Sequence, residues 1–158
     1  FQILPLSSFL KDCSLPKGFY PEKKILPSFQ KYILDSAEVG INLLNTISRF
    51  DVGQSAVVSS KLVYAIEGQE GTDFMIDRAA SLSNKNKLIT HQGPVLIKIP
   101  KINQNINLDP PVVGFETVRK CIENNFSSLV VSSNGTIIFE LKKIMNLINM
   151  KNFVIYVV

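Results

Sequence analysis

The chain has 158 residues, of which 46% are hydrophobic, and its 17 basic and 13 acidic residues give a formal net charge of +4. This hydrophobic content excludes an intrinsically disordered chain, and no apolar run approaches the roughly 20 residues that a helix needs to cross a bilayer. The length fits one domain. Because the basic residues form no consecutive block and are not interleaved with aromatic ones, the charge does not indicate a nucleic-acid-binding protein.

Two features of the sequence bear on the setting of the protein. Cys13 and Cys121 lie far apart and lack the spacing of a metal site, which favours a reducing cytoplasm over a secreted, disulfide-linked scaffold. The chain begins at Phe1 and shows no signal-like segment at its start. We therefore expect it to be a piece of a longer protein that has a further domain.

The first elements along the chain are a short extended run over 1–6 and an irregular, proline-rich connector over 14–27. Ser28 stands where a helix N-cap is expected, and a helix is predicted from there to about Arg49. Its apolar residues recur every three or four positions and so form one stripe, which is either core or a surface for acyl chains. The stripe consists of Phe29, Ile33, Ala37, Ile41, Leu44 and Ile47.

Beyond this helix, strands and helices alternate. Two hairpins are predicted, one joining 56–58 to 62–66 and one joining 129–131 to 136–139 around an Asn-Gly turn. A loop over 83–87 and a long, asparagine-rich loop over 100–111 interrupt the remaining elements. Further strands are predicted at 95–99 and 153–157, and further helices at 71–82, after Gly114 and at 141–150. This alternation predicts a single α/β domain, with a mixed β-sheet and helices packed on its faces.

Acidic residues are concentrated at one junction between a predicted strand and a predicted helix. Glu67 ends the strand, Glu70 follows, and Asp73 lies at the start of the helix, while Asp51 precedes the same hairpin. One interpretation is structural: Thr72 caps the helix, and the acids complement its positive end. The other is a cation site, because carboxylates at the carboxyl ends of strands suit Mg²⁺. The familiar nucleotide-binding and nucleophile motifs are absent from the sequence.

A second candidate is Lys98, which interrupts the apolar strand 95–99. Its ammonium group either reaches solvent at the edge of the sheet or neutralises a bound phosphate. Lys101 and Asp109 lie in the loop that follows, and they would face the same ligand if that loop closes over it.

Four sequence blocks, taken together, resemble a known family. D-V-G-Q-S begins at Asp51, E-x-x-E-G-T-D begins at Glu67, K-x-x-K begins at Lys98 and is followed by Gln104, and D-x-P-x-x-G begins at Asp109. In this order and spacing the blocks resemble the C-terminal catalytic domain of the LpxI-type UDP-2,3-diacylglucosamine pyrophosphatases. The resemblance spans essentially the whole chain, 1–158.

The resemblance implies a Mg²⁺-dependent hydrolase of lipid A synthesis in Gram-negative bacteria, cytoplasmic and peripheral to the inner membrane. Such enzymes hydrolyse the pyrophosphate of UDP-2,3-diacylglucosamine to UMP and 2,3-diacylglucosamine 1-phosphate (lipid X). The resemblance also implies an N-terminal nucleotide-fold domain, absent from this sequence, that helps to enclose the lipid substrate. A homodimer is a further expectation, and nucleic acid is not an expected partner.

By position, the resemblance also implies roles for individual residues. The expected catalytic residues are Asp73, Glu70, Asp109 and Lys98. The expected substrate-binding residues are Asp51, Gln54, Thr72, Lys101 and Gln104. The expected metal ligands are Glu67, Glu70 and Asp73.

The loop after Lys101 departs from the family pattern, in which an acid and an arginine stand where this chain has Asn105 and Asn107. An amide can neither act as a base nor carry a positive charge, and the loss of an arginine removes a bidentate phosphate clamp. Two alternatives to the enzyme therefore remain open. One is a weakened homologue that binds a nucleotide-sugar lipid without hydrolysing it, and the other is an α/β interaction domain whose acids only cap helices.

Overall fold

The structure, a computed structural model, describes residues 13–22, 25–86, 92–106 and 108–158. The strands are β1 (Gly18–Tyr20), β2 (Ser55–Ser59), β3 (Leu62–Ile66), β4 (Val95–Lys98), β5 (Val112–Val113), β6 (Ser128–Val131), β7 (Ile137–Ile138) and β8 (Val154–Val157). The helices are α1 (Pro27–Ile47), which a 3-10 turn (Ser48–Phe50) extends, α2 (Gly71–Asn86), α3 (Phe115–Glu123) and α4 (Leu141–Met150). These elements confirm the predicted mixed α/β fold. Within the described ranges, every helix is too short or too polar to span a bilayer.

The main sheet has six strands in the order β1-β8-β6-β4-β2-β3. Strands β4, β6 and β8 are parallel, whereas β2 runs antiparallel to both β4 and β3, and β1 runs antiparallel to β8. As a result, the carboxyl ends of β3, β4, β6 and β8 and the amino end of β2 all lie at the same end of the strands. We call this end of the sheet the carboxyl edge, which is not to be confused with an edge strand. Ligands of open α/β sheets bind at such an edge.

Helices cover the sheet on both faces, and each face has its own apolar core. Successive residues of a strand point to opposite faces, so Leu96 packs with Val118 of α3 and Ile144 of α4, while Ile97 packs with Ile33 of α1. Lys98, two residues after Leu96, therefore points to the face that α2, α3 and α4 cover.

Helix α1 begins earlier than predicted, and its apolar stripe is part of the core. Pro27 is its first residue and the residue before it is the N-cap, so the assignment of Ser28 as N-cap is wrong. A proline is favoured at this position because its fixed φ suits the helix and its missing N–H would have had no partner there. Ile33, Ala37 and Leu44 of the stripe are buried against the sheet, so these residues form core rather than a surface for acyl chains.

The second predicted hairpin is wrong. Strand β6 lies between β4 and β8 and is parallel to both, while β7 pairs with β5 in a separate two-stranded sheet. The turn itself exists, with Gly135 at a φ of 89°. However, β6 is buried along its whole length and is paired on both edges, which leaves no edge free for the strand that follows the turn.

The end of α2 and the position of β1 also differ from the prediction. Helix α2 continues through Asn86, so the loop predicted over 83–87 is wrong as far as residue 86; Ser83 is buried and extends the helical pattern of burial by one turn. Strand β1 lies inside the predicted connector, where Pro21 follows it directly, as is tolerated at the edge of a sheet. The predicted extended run over 1–6 lies outside the described residues.

Gly40 allows α1 to approach β4 closely. A Cβ atom at this position would lie 2.7 Å from Cγ1 and 3.2 Å from Cβ of Ile97, which is fully buried. Replacing a helical glycine by alanine ordinarily stabilises by about 1 kcal/mol, but we expect Gly40→Ala to lower the free energy of unfolding by about 1–3 kcal/mol through overpacking. Urea denaturation measures the effect. Asn45→Ala, at an exposed position of the same helix, is the control and should be neutral; a more stable Gly40→Ala variant would contradict the close packing.

Candidate functional site

A chain of hydrogen bonds joins four predicted site residues at the carboxyl edge. Lys98, the last residue of β4, donates from Nζ to Oγ1 of Thr72 (2.7 Å), and Thr72 donates from Oγ1 to Oε1 of Glu67 (2.7 Å). The second carboxylate oxygen of Glu67, Oε2, accepts from the backbone N–H of Gln54 (3.0 Å). We call these four residues the Lys98–Gln54 chain. Both charged members, Lys98 and Glu67, are buried.

Gly53 gives Glu67 its place in this chain. A Cβ atom at position 53 would lie 2.4 Å from the backbone oxygen of Glu67 and 2.6 Å from its Cβ, so only glycine lets the two segments come this close. The backbone N–H of Glu67 also donates to the oxygen of Ser55 (2.9 Å). The D-V-G-Q block therefore needs glycine at this position for steric reasons. The close approach that glycine allows fixes the position of Glu67, the residue after β3.

Lys98 is the buried cation of the site. Burial lowers the pKa of its ammonium group, and the nearby carboxylates of Glu67 and Asp73 oppose that shift. A lysine has three N–H donors, and the hydrogen bond described here, to Thr72, uses one of them. An anion bound at the carboxyl edge would offset the cost of removing this charge from water.

Glu70 is held by an arginine that belongs to none of the four sequence blocks. Arg78, two turns along α2, donates from Nη2 to Oε1 of Glu70 (2.5 Å) and to the backbone oxygen of Ile66 (2.9 Å). The other oxygen of Glu70 accepts from the N–H of Gly68 (3.1 Å). Because of Arg78, the pKa of Glu70 is lowered. These contacts tie the end of β3 to α2 and so define the turn that places Thr72.

Asp73 is held by fewer hydrogen bonds in the described structure than the other two acids of its block. It lies in the first turn of α2, it is exposed, and it accepts a long hydrogen bond of 3.4 Å at Oδ1 from Oγ1 of Thr117 in α3. Its charge reaches Lys98, since it is one of the two carboxylates that favour the charged form of that lysine. Of the predicted metal ligands, Asp73 is therefore the one most open to a ligand.

The remaining predicted residues lie in the loop after β4 and opposite it. Lys101 donates from Nζ to Oδ1 of Asp51 (2.5 Å), and this contact lowers the pKa of Asp51. Gln104 accepts at Oε1 from the N–H of Lys101 (3.0 Å) and donates from Nε2 to the backbone oxygen (2.6 Å) and to Oδ2 (3.3 Å) of Asp109. Self-contained hydrogen bonding thus organises this long loop. The backbone oxygen of Asn105 contributes by accepting from the N–H of Asp109 (2.9 Å), and Asn107 lies outside the described residues.

The predicted site residues thus form neighbouring groups and not a metal cage. Within the described ranges, no three His, Cys, Asp or Glu side chains are arranged to hold a metal ion. Glu67, Glu70 and Asp73 are accordingly not gathered around one point, and their role as metal ligands stays a prediction. Arg78 could not be found from the sequence, because its pairing with Glu70 depends on the turn between β3 and α2.

Comparison with known proteins identifies related sequences. The family model described as the LpxI C-terminal domain matches residues 23–156, a range that includes every site residue discussed above. The UDP-2,3-diacylglucosamine pyrophosphatase LpxI of Caulobacter vibrioides is 30% identical to this chain over 132 residues. That alignment covers 82% of this chain and 45% of the relative, so the chain spans somewhat less than half of the length of the protein it matches.

The lowered pKa of Lys98 predicts a stability effect with a definite dependence on pH. The folded protein binds this proton less tightly than the unfolded chain, so the charge is destabilising at neutral pH. The penalty disappears as the pH rises from the lowered pKa of Lys98 to the unfolded value of about 10.4. Lys98→Met keeps the apolar stem of the side chain. At pH 7 we expect its free energy of unfolding to be at most about 1 kcal/mol lower than that of the parent, or to be higher.

Urea denaturation of both proteins between pH 7 and 11 measures this difference, which should shrink as the pH approaches 10.4. Lys142→Met, at an exposed position of α4, controls for the loss of one positive charge. A loss of several kcal/mol in Lys98→Met at pH 7 would show instead that the ammonium stabilises the fold.

Proposed function

The chain belongs to the LpxI family, as its match to the C-terminal domain of that family shows, and from this we propose that it provides catalytic residues of a UDP-2,3-diacylglucosamine pyrophosphatase. The proposed reaction yields UMP and 2,3-diacylglucosamine 1-phosphate, in lipid A synthesis. The name of the Caulobacter vibrioides relative supports this substrate. The observation that carries the proposal is the Lys98–Gln54 chain, which holds a buried ammonium at the edge where α/β sheets bind ligands.

In the proposed mechanism Lys98 binds an oxygen of the pyrophosphate and stabilises the negative charge that develops as the P–O bond breaks. Thr72 and Glu67 hold the ammonium in position, because the hydroxyl of Thr72 accepts from Lys98 while it donates to Glu67. The side-chain oxygen of Gln54 is buried without a partner in the described structure, which leaves an acceptor for a donor from substrate or water.

The donor set fits a Mg²⁺ ion that is held by substrate phosphates and one or two carboxylates, the usual arrangement for this cation. Glu67 and Glu70 each accept hydrogen bonds at both oxygens, so Asp73 is the residue of this block that would hold the ion. When bound, such an ion neutralises phosphoryl charge and makes a bound water more acidic. Asp73 and Asp109 are exposed, and unlike Asp51 and Glu70 they form no ion pair in the described structure, so either carboxylate could orient the attacking water.

The wider setting of the protein is part of the proposal. The relative is more than twice as long as the matched segment, which supports a second domain that helps to enclose the substrate. A cytoplasmic location at the inner membrane would bring the site to a lipid substrate. Homodimerisation stays a prediction.

The test uses the full-length protein with UDP-2,3-diacylglucosamine in detergent micelles, with and without Mg²⁺, and measures UMP by chromatography. Release of UMP only with Mg²⁺ would support the proposal. Stoichiometric binding of the substrate without UMP release would instead identify the weakened homologue, and neither binding nor release would favour an interaction domain.

We expect Asp73→Asn to lower kcat/KM for UMP release at least about 10²–10³-fold, because it removes the carboxylate that would hold the ion or orient the attacking water. Asp77→Asn is the matched control: Asp77 lies one turn along the same helix, is exposed, and pairs with Lys120 at 2.8 Å. Its turnover should stay within about twofold of the parent. Circular dichroism checks that both variants fold, and near-parental turnover of Asp73→Asn would remove Asp73 from the catalytic set.

Glu70 is expected to act through Arg78. Glu70→Ala and Arg78→Met should each lower kcat about 10-fold by loosening the turn that places Thr72, and the double variant should lose no more than either single one. The Mg²⁺ concentration for half-maximal activity should stay unchanged in all three. A metal-ligand role for Glu70 predicts a different result, in which Glu70→Ala raises that concentration and Arg78→Met does not.

A further inference from the structure

A pocket of about 310 Å³ lies at the carboxyl edge, between the end of α1 and the loop after β4. Its volume is at the lower end of the range for small-ligand sites, roughly 300–1,000 Å³. The residues that line it are Ser48, Arg49, Asp51, Lys101, Asn103, Gln104 and Asp109. Arg49 is the charged member to which neither the sequence blocks nor the proposed mechanism gives a role.

The charges of this pocket are unequally matched. Lys101 is paired with Asp51, and Asp109 is held by Gln104. Arg49 forms no ion pair with a carboxylate within the described part of the chain. Its guanidinium donors are therefore available to an anion that enters the pocket.

The guanidinium of Arg49 is also held in a defined place. Its Cζ lies 4.7 Å from the ring centroid of Phe50, a cation–π contact that favours this position of the exposed side chain. The neighbouring Ser48 accepts at Oγ from the N–H of Ile102 (2.9 Å), so its own O–H can donate. A planar arginine fork beside a hydroxyl donor matches the oxygens of a phosphate group.

The pocket lies at the same end of the strands as the Lys98–Gln54 chain. Lys101, in the lining of the pocket, follows Lys98 by three residues, and the N–H of Ile99 donates to the oxygen of Gln54 (3.1 Å), three residues after Asp51. A ligand with two phosphoryl groups would have to extend from one of these places to the other.

We propose that this pocket is a second anion subsite, in which Arg49 binds phosphoryl oxygens of the ligand while Lys98 binds its neighbouring phosphoryl group. The identity of the anion as a nucleotide-sugar pyrophosphate rests on the proposed function. The binding of a phosphate anion by Arg49 is independent of that function.

Titration calorimetry of the full-length protein with inorganic pyrophosphate and with UMP tests the subsite. Arg49→Gln should weaken the binding of pyrophosphate about 10-fold or more, since it removes a charged donor. The affinity of Arg49→Lys for pyrophosphate should lie between those of the parent and Arg49→Gln, because lysine keeps the charge but lacks the planar fork of arginine. The control is Arg119→Gln, at an exposed arginine of α3 that Glu116 and Glu123 hold. This variant loses the same charge and should bind within about twofold of the parent.

In the hydrolysis assay Arg49→Gln should raise KM about 10-fold and leave kcat within about threefold, because the subsite binds rather than reacts. Equal binding of both probes by Arg49→Gln and the parent would overturn the subsite, even if UMP release confirms the enzyme. Arg49-dependent binding of pyrophosphate without UMP release would uphold the subsite and overturn the proposed reaction.

Discussion

The burial of one ammonium group, that of Lys98, is the constraint around which this edge of the molecule is organised. A charge removed from water needs partners, and the partners come from three separate elements: Thr72 from α2, and Glu67 and Gln54 from the ends of β3 and β2. Each depends on a local backbone condition, such as the close approach at Gly53. The strands bring these elements together because β2 runs antiparallel between β4 and β3, so that its amino end lies between their carboxyl ends.

The spacing of apolar residues made most helices and strands predictable from the sequence. Helices α1 and α4 and strands β2, β3, β4 and β8 follow from apolar periodicity, because each buries a defined face or both faces. Strand pairing was not predictable in the same way. The predicted run 129–131, which forms most of β6, is apolar throughout. Such a run fits a hairpin arm as well as a central parallel strand, and only the neighbours β4 and β8 decide between them.

The site shows the same division. Four short blocks drew attention to the residues at the carboxyl edge, because in their order and spacing they resemble those of the LpxI family. They could not assign roles within the edge. Glu67 and Asp73 look alike in sequence, yet one is buried among donors and the other is exposed at a helix start. Arg78 and Arg49 carry no local signal at all, because their contacts arise only when distant turns are in place.

The position of the site along the chain has a consequence for how the protein folds. All of the residues discussed for binding and catalysis lie between Ser48 and Asp109, in a segment whose strands β2, β3 and β4 pair with one another by antiparallel contacts. The parallel partners β6 and β8 come from the later chain and join the sheet only through crossovers that contain α3 and α4. Only the hairpin of β2 and β3 closes a short loop, because the segment between β2 and β4 contains β3 and α2 and is longer than either crossover. Closing a longer loop costs more conformational entropy. The Lys98–Gln54 chain, which needs the β2–β4 pairing, is therefore completed by a long-range contact and not by a hairpin that forms on its own.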